Sequence, residues 1–139
     1  MVKPRVPGTS DARENINKSF PSALVTGYEL LIPSLNLTDQ DNRHNFAAAI
    51  HSGASVIVTF NTKDFPKEKA WKYHLEIENT DDYYVCQFDL NPEAVCTAVK
   101  RQRQRFINLP FRMELCIEEL EDLGLPQAVK LLAQSLCLI

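Results

Sequence analysis

Two short polar segments carry the side chains best suited to chemistry in this sequence. The first is residues 39–44, Asp-Gln-Asp-Asn-Arg-His, and the second is residues 61–64, Asn-Thr-Lys-Asp. Carboxylates held close together repel one another unless a cation lies between them. Ligand sets made only of oxygen favour Mg²⁺ or Mn²⁺ over Zn²⁺. If the fold joins the two segments, they form a divalent-metal site whose predicted ligands are Asp39, Asp41 and Asp64.

The elements around these segments predict that they meet. Residues 43–52 have an apolar face of small side chains and stop before Gly53, which is typical of a helix lying close to a sheet. The β-branched run 55–60 predicts a strand buried on both faces, and residues 73–77 predict a second strand. The helix then runs antiparallel to the first strand, so its start and the strand's end share one sheet edge, where ligands bind in parallel sheets. The sequence therefore predicts an α/β fold with a parallel sheet.

Each polar segment also has an ordinary structural explanation. An Asp at a helix start is a common cap, and Asp64 after Asn61 suits a simple turn. Arg43 suits pairing with a neighbouring Asp, and His44 is more typical of a structural hydrogen-bond donor than of a metal ligand. The basic residues of the predicted helix 92–107 suit a solvated face as well as RNA phosphates. The candidate nucleic-acid contacts are Arg43, Lys63, Lys100, Arg101 and Arg103.

Composition narrows the class of protein. The chain has 139 residues, of which 45% are hydrophobic and 24% charged, so we expect one globular domain, or one domain with a short appendage. The net charge of -3 argues against a strongly basic nucleic-acid module. No apolar run reaches the roughly 18 residues that a membrane helix needs. Met1–Ser10 lacks the apolar stretch of a signal peptide.

The spacing of the four cysteines indicates their state. Cys86, Cys96, Cys116 and Cys137 form no CxxC pair, and none lies near a histidine. This pattern predicts buried free thiols and argues against a zinc site or a disulfide framework. Reduced cysteines in turn predict a cytoplasmic protein.

The chain changes character after residue 79. Upstream, Ala23–Val25 predicts one further short strand, whereas downstream the caps, prolines and glycines predict only helices. These helices cover residues 80–90, 92–107, 113–123 and 126–138. We therefore expect a partial α/β domain over residues 11–79 and an all-helical C-terminal region over residues 80–139.

The central part of the sequence resembles a known family. Residues 37–66, LTDQDNRHNFAAAIHSGASVIVTFNTKDFP, are similar to the PIN-domain family, in particular to VapC-type toxins with an added helical C-terminal region. The segments FPSALVTGYELLIPSL, NPEAVCTAVKRQR and LGLPQAVKLL resemble the same branch. The resemblance implies a parallel α/β fold and an Mg²⁺- or Mn²⁺-dependent endoribonuclease of a toxin–antitoxin system. It also implies an antitoxin-like partner and a homodimer. At the site it implies Asp39 and Asp64 as catalytic residues and adds Asn61 to the metal ligands.

Two departures from the family pattern lower the expected activity. Asn42 stands where the family usually has an Asp at the helix start, and nothing before Asp11 resembles the family's first strand with its essential Asp. We therefore expect an N-terminally truncated form with weak or absent metal binding. Two alternatives stay open: a non-catalytic binding or dimerisation module derived from a PIN domain, and an unrelated doubly wound domain with an Mg²⁺-dependent acidic pocket.

Overall fold

The computed structural model describes residues 9–37, 40–104 and 113–135, and within these it leaves out the side chains of residues 9, 10, 40, 41, 103, 113 and 114. The chain divides into two compact units, residues 1–55 and residues 56–139. The described elements of the first unit are helical, and the second unit contains one small parallel sheet flanked by helices, followed by a wholly helical C-terminal region. The predicted α/β class is thus confirmed.

The first unit is helical where it is described. It contains α1 (Thr9–Ser19), 3-10 helices at Pro21–Ala23 and Glu29–Ser34, and α2 (Gln40–Ser52). Its buried apolar side chains come from α2 and from the segment that precedes it: Leu35, Leu37, Phe46, Ala47 and Ala49. Small residues on α2 therefore do form a buried face, as the sequence predicts.

Two sequence predictions can be checked in the first unit. The end of α2 is confirmed, because Gly53 has a φ of 67° and Ala54 N–H then donates to Ala49 O at 3.0 Å. The strand predicted at Ala23–Val25 is wrong. Pro21 instead begins a 3-10 turn, closed by Ala23 N–H donating to Phe20 O at 2.9 Å. A short apolar run without a paired neighbour cannot satisfy its backbone as a strand.

The sheet of the second unit pairs two strands in parallel. β1 (Val56–Thr59) lies beside β2 (Glu76–Asn79) with Val56 opposite Glu76 and Thr59 opposite Asn79. A 3-10 turn at Thr62–Asp64 and the helix α3 (Lys67–Trp71) connect them. β2 starts later than predicted because residues 72–74 form a turn in which His74 has a φ of 57°.

β1 is less buried than the sequence predicts. Val58 is 37% exposed, so the expectation of a strand covered on both faces is wrong. Within the described residues the sheet has only the strands β1 and β2. β1 is therefore an edge strand there, and the face that carries Val58 is only partly covered.

The C-terminal helices follow the predicted boundaries where they are described. They are α4 (Thr80–Leu90), α5 (Pro92–Gln104), α6 (Met113–Asp122) and α7 (Pro126–Gln134). Asn79 caps α4 by accepting Asp81 N–H at 2.8 Å, and Asn91 caps α5 by accepting Ala94 N–H at 3.0 Å. The predicted extensions of α5 and α7 beyond residues 104 and 135 lie outside the described residues.

One buried side chain joins these four helices. Leu132 of α7 is 3% exposed and forms the centre of an apolar cluster. The residues packed against it come from α4, α5 and α6: Phe88, Val95, Cys96, Val99, Ile117 and Leu120. The four helices thus meet one another in a common core.

The cysteines differ from their predicted state. Cys86 is free but exposed, Cys116 is free and half-buried, and Cys96 is disulfide-bonded. The prediction of buried free thiols is therefore wrong for Cys86 and Cys96, and Cys137 lies outside the described residues. The cytoplasmic location, which depended on reduced cysteines, stays a prediction. Of the helices in the described ranges, none is long and apolar enough to span a bilayer.

Candidate metal-binding site

The turn after β1 brings two of the predicted ligands together. The side-chain amide of Asn61 donates a hydrogen bond to Oδ2 of Asp64. The backbone closes the same turn, since Asp64 N–H donates to Asn61 O at 3.1 Å. Both residues are exposed. The structure therefore places a carboxylate and an amide side by side at the end of a strand, as the sequence predicts for this segment.

This turn is fixed on both sides. Before it, Asn61 N–H donates to Oγ1 of Thr59, the last residue of β1, at 3.1 Å. After it, the side chain of Phe65 is buried, and Pro66 O accepts the N–H groups of Lys69 and Ala70 in α3. The Asn61–Asp64 pair is thus exposed, but the turn that carries it is held in place by the end of β1 and by the buried ring of Phe65. Such an anchored turn holds side chains in a defined position better than a long loop does.

The chemistry of the pair suits a hard divalent cation. Asp64 offers carboxylate oxygen and Asn61 offers a carbonyl oxygen, and both are ligand types that Mg²⁺ and Mn²⁺ accept. The pair supplies a single negative charge, so a tightly bound ion needs further carboxylates. Among the described side chains, no group of three His, Cys, Asp or Glu residues could hold a metal ion. The side chains of Asp39 and Asp41 are not among the described ones, so this statement does not cover them.

The first acidic segment is described only in part. Asp39 lies outside the described residues, and Asp41 lies in the first turn of α2 with its side chain not described. Asn42, the next residue, is buried at 8% exposure. The predicted meeting of the two segments stays a prediction.

Two neighbours in this segment have structural contacts. Nε of the half-buried Arg43 donates to the backbone carbonyl of Leu37 at 2.7 Å, which ties α2 to the residues before it. The ring of His44 meets the ring of Tyr28 edge-on, with their centroids 6.3 Å apart. His44 thus makes a structural ring contact, and its role as a hydrogen-bond donor stays a prediction. As a nucleic-acid contact, Arg43 stays a prediction.

The other predicted nucleic-acid contacts are spread over the second unit. Lys63 is exposed within the Asn61–Asp64 turn, and Lys100 and Arg101 are exposed on α5. The side chain of Arg103 is not described. Lys63 therefore stands next to the candidate metal ligands, whereas the α5 residues belong to the helical region.

Sequence reasoning missed the role of a buried carboxylate in the second unit. Asp81, in the first turn of α4, is 4% exposed. Its Oδ2 and Oδ1 accept the N–H groups of Gln127 and Ala128, each at 2.9 Å. These N–H groups lie in the first turn of α7, where a helix has no partners of its own. The signal in the sequence is the start of α7 at Leu125-Pro126, which offers no side-chain cap and so calls for an acceptor from elsewhere.

Comparison with known proteins identifies the family. Residues 80–134 match the model of the VapC50 C-terminal domain. The chain is also 31% identical over 113 residues to the protein named "Putative ribonuclease VapC50" of Mycobacterium tuberculosis (strain ATCC 25618 / H37Rv). The chain belongs to the VapC-type PIN-domain toxin family. The resemblance inferred from residues 37–66 is thereby confirmed.

The VapC match has defined limits along the chain. It covers 81% of this chain and 66% of the curated relative, so the chain spans just under two thirds of that protein's length. The family model begins at residue 80, which is also the first residue of α4. No solved structure matches the chain significantly.

Proposed function

We propose that this chain carries part of a metal-dependent endoribonuclease site of the VapC type, located at the end of β1. Asp64 and Asn61 would hold Mg²⁺ or Mn²⁺ there, with Asp64 as a catalytic residue. The observation that supports this most is the Asn61–Asp64 pair in an anchored turn, in a chain similar to a protein named as a ribonuclease. Asp39 and Asp41 are the further ligands proposed from the sequence alone.

The residues of the turn have distinct parts in this proposal. A bound Mg²⁺ or Mn²⁺ supplies Lewis-acid polarisation of a phosphate oxygen and lowers the pKa of bound water. Asp64 supplies the negative charge that attracts the ion, and the amide of Asn61 orients that carboxylate through its hydrogen bond. Lys63, exposed between them, offers an ammonium group to an RNA phosphate.

RNA cleavage by the full chain tests this proposal. The wild type and Asp64→Ala are compared on single-stranded RNA with Mn²⁺ and with EDTA. Asp89→Ala is the matched control, because Asp89 is an exposed acid in the last turn of α4 and is not one of the proposed ligands. We expect Mn²⁺-dependent cleavage by the wild type and the Asp89 variant, and at least a tenfold loss in Asp64→Ala. No cleavage above the Asp64→Ala background contradicts the enzyme proposal.

A second candidate function is a non-catalytic binding or dimerisation module. Apolar side chains on and after α6 favour it, since Leu115 is 46% and Leu123 61% exposed. Phe60 adds to this surface: it is 53% exposed, and a methyl group placed on Gly124 would lie 3.9 Å from its ring. Such side chains suit an antitoxin-like helix or a second copy of the chain.

Light scattering tests whether the chain forms a homodimer. A stable homodimer has twice the 15.8 kDa mass of the chain, and Leu123→Ser reduces it to the monomer mass. A monomer at every concentration, with no change in Leu123→Ser, contradicts self-association. An antitoxin-like partner would instead cover Leu123 in the purified complex. Hydrogen exchange of the α6–α7 turn would then be slower in the complex than in the free chain.

A further inference from the structure

The connection between β1 and β2 carries a large exposed aromatic side chain. Trp71, at the end of α3, is 65% exposed, and it is the single tryptophan of the chain. Buried side chains hold α3 and the residues on either side of it in place: Phe65, Ala70 and Leu75 are 6%, 0% and 1% exposed, respectively. The indole ring therefore stands on an anchored helix, where exposing so much apolar surface brings no benefit to stability.

Two exposed lysines flank this tryptophan along the chain. Lys67 precedes Trp71 by four residues, which places both on the same face of α3. Lys72 follows Trp71 directly, and both lysines are exposed. Residues 61–73 hold four lysines against two acidic residues, Asp64 and Glu68, in a chain whose net charge is -3. Positive charge is thus concentrated around an exposed aromatic ring in an otherwise acidic protein.

This combination matches the chemistry of one ligand class. Surfaces that bind single-stranded nucleic acid combine lysines or arginines for phosphates with aromatic rings on which bases stack. In a duplex the bases are already stacked on one another, so an exposed aromatic ring favours a single strand. A protein partner would also cover Trp71, but the lysines around it complement a polyanion.

We propose that Lys63, Lys67, Trp71 and Lys72 form a binding surface for single-stranded RNA, here called the α3 surface. A base stacks on the indole ring of Trp71, and the lysines contact neighbouring phosphates. This inference rests on the proposed function, since it gives the path by which an RNA strand reaches Asp64. It adds residues that recognise the substrate and do not hold the metal.

Chain geometry keeps the α3 surface close to the candidate ligands. Lys67 is three residues from Asp64, so their Cα atoms are at most about 11 Å apart. Trp71 lies four residues further along α3, which adds about 6 Å of helix rise. A strand of a few nucleotides therefore spans the distance from a base on Trp71 to a phosphate at Asp64.

Tryptophan fluorescence tests the α3 surface directly, because the emission comes from Trp71 alone. A short single-stranded oligoribonucleotide is titrated into the full chain in EDTA, where no metal-dependent cleavage takes place. We expect quenching of the emission, with an affinity that falls as salt rises because lysine contacts release counterions. In Lys67→Gln the slope of log affinity against log salt should shrink by about 0.7.

Variants of Trp71 separate stacking from general charge. Binding of a labelled oligoribonucleotide, followed by anisotropy, should weaken about tenfold in Trp71→Ala, as expected for losing one base–aromatic stack, and should recover largely in Trp71→Phe. Phe20→Ala removes an equally exposed aromatic ring, 63% exposed, in the first unit. Lys130→Gln removes an exposed lysine from α7. Both controls should bind like the wild type.

The outcomes distinguish this inference from the proposed function. Wild-type affinity in Trp71→Ala together with lost cleavage in Asp64→Ala overturns the α3 surface and leaves the ribonuclease proposal standing. Quenching that persists in Asp64→Ala supports the α3 surface even if no variant cleaves RNA. Emission that changes on dilution of the protein but not with RNA overturns the inference, since α3 is then an interface between copies of the chain.

Discussion

The carboxylate of Asp81 at the start of α4 accepts the backbone N–H of Ala128 in the first turn of α7, with 2.9 Å between N and O, although the two residues lie 47 positions apart in sequence. The second carboxylate oxygen accepts Gln127 N–H in the same way. One buried acid therefore caps a helix that has no cap of its own. It fixes the relation between α4 and α7, around which the helical region is built.

Loss of this cap should destabilise the protein. Asp81→Ala leaves two backbone N–H groups near the buried end of α7 without acceptors, and we expect the free energy of unfolding to fall by about 2–4 kcal/mol. Urea denaturation followed by circular dichroism measures the change. Asp82→Ala is the matched control, because the exposed Asp82 accepts the side-chain amide of Gln127 and not a backbone N–H of α7 in the described part of the chain. We expect it to lose less than about 1 kcal/mol, and equal losses in the two variants would contradict the capping role.

The core of the helical region gives a second prediction. Leu132 is 3% exposed at the centre of the cluster shared by α4–α7, whereas Leu90, at the end of α4, is 79% exposed. Leu132→Ala should lower the free energy of unfolding by about 2–5 kcal/mol, because it removes buried apolar contacts and leaves a cavity. Leu90→Ala should change it by less than about 0.5 kcal/mol. Thermal unfolding of both variants checks the difference, and a similar melting temperature for the two would show that Leu132 is not a core residue.

Much of the secondary structure could be predicted because its signals are local. Gly53 ends α2, Asn91 caps α5, and Pro126 begins α7, each at the position that its residue type indicates. The pair Asn61 and Asp64 is also local, since its members lie three positions apart in sequence. The predicted turn chemistry was therefore sufficient to bring them together.

Features that depend on distant partners could not be predicted in the same way. In the sequence, Asp81 is an ordinary acid in the first turn of α4. Only the folded chain shows that its carboxylate oxygens accept backbone N–H groups of α7. The strand predicted at Ala23–Val25 failed because apolar composition does not show whether a neighbouring strand is available for pairing. Cys96 likewise gives no local sign of its disulfide. For Asp39 and Asp41, whose side chains the structure does not describe, the proposal that they bind the metal rests on the sequence alone.

The role of Asn61 in orienting the Asp64 carboxylate can be tested by removing its side-chain amide. Asn61→Ala removes the amide that donates to Asp64, and with it one oxygen ligand of the proposed site. We expect Mn²⁺ affinity to fall severalfold, with the unfolding free energy changed by less than about 0.5 kcal/mol, because Asn61 is exposed. Calorimetric titration with Mn²⁺ measures the affinity. Asn61→Asp, which retains an oxygen and adds a charge, should bind the ion at least as well as the wild type. An unaltered affinity in Asn61→Ala would mean that the amide has no part in ion binding.

Direct binding of Mn²⁺ to the full chain tests the central claim, that the turn after β1 holds a divalent ion. Electron paramagnetic resonance counts free Mn²⁺ in titrations of the wild type, Asp64→Ala and the control Asp89→Ala, and the same titration of Asp39→Ala and Asp41→Ala tests the ligands proposed from the sequence. We predict that Asp64→Ala weakens Mn²⁺ binding at least tenfold, which corresponds to about 1.4 kcal/mol, and that Asp89→Ala binds like the wild type. Equal Mn²⁺ affinity in the wild type and Asp64→Ala would contradict the account.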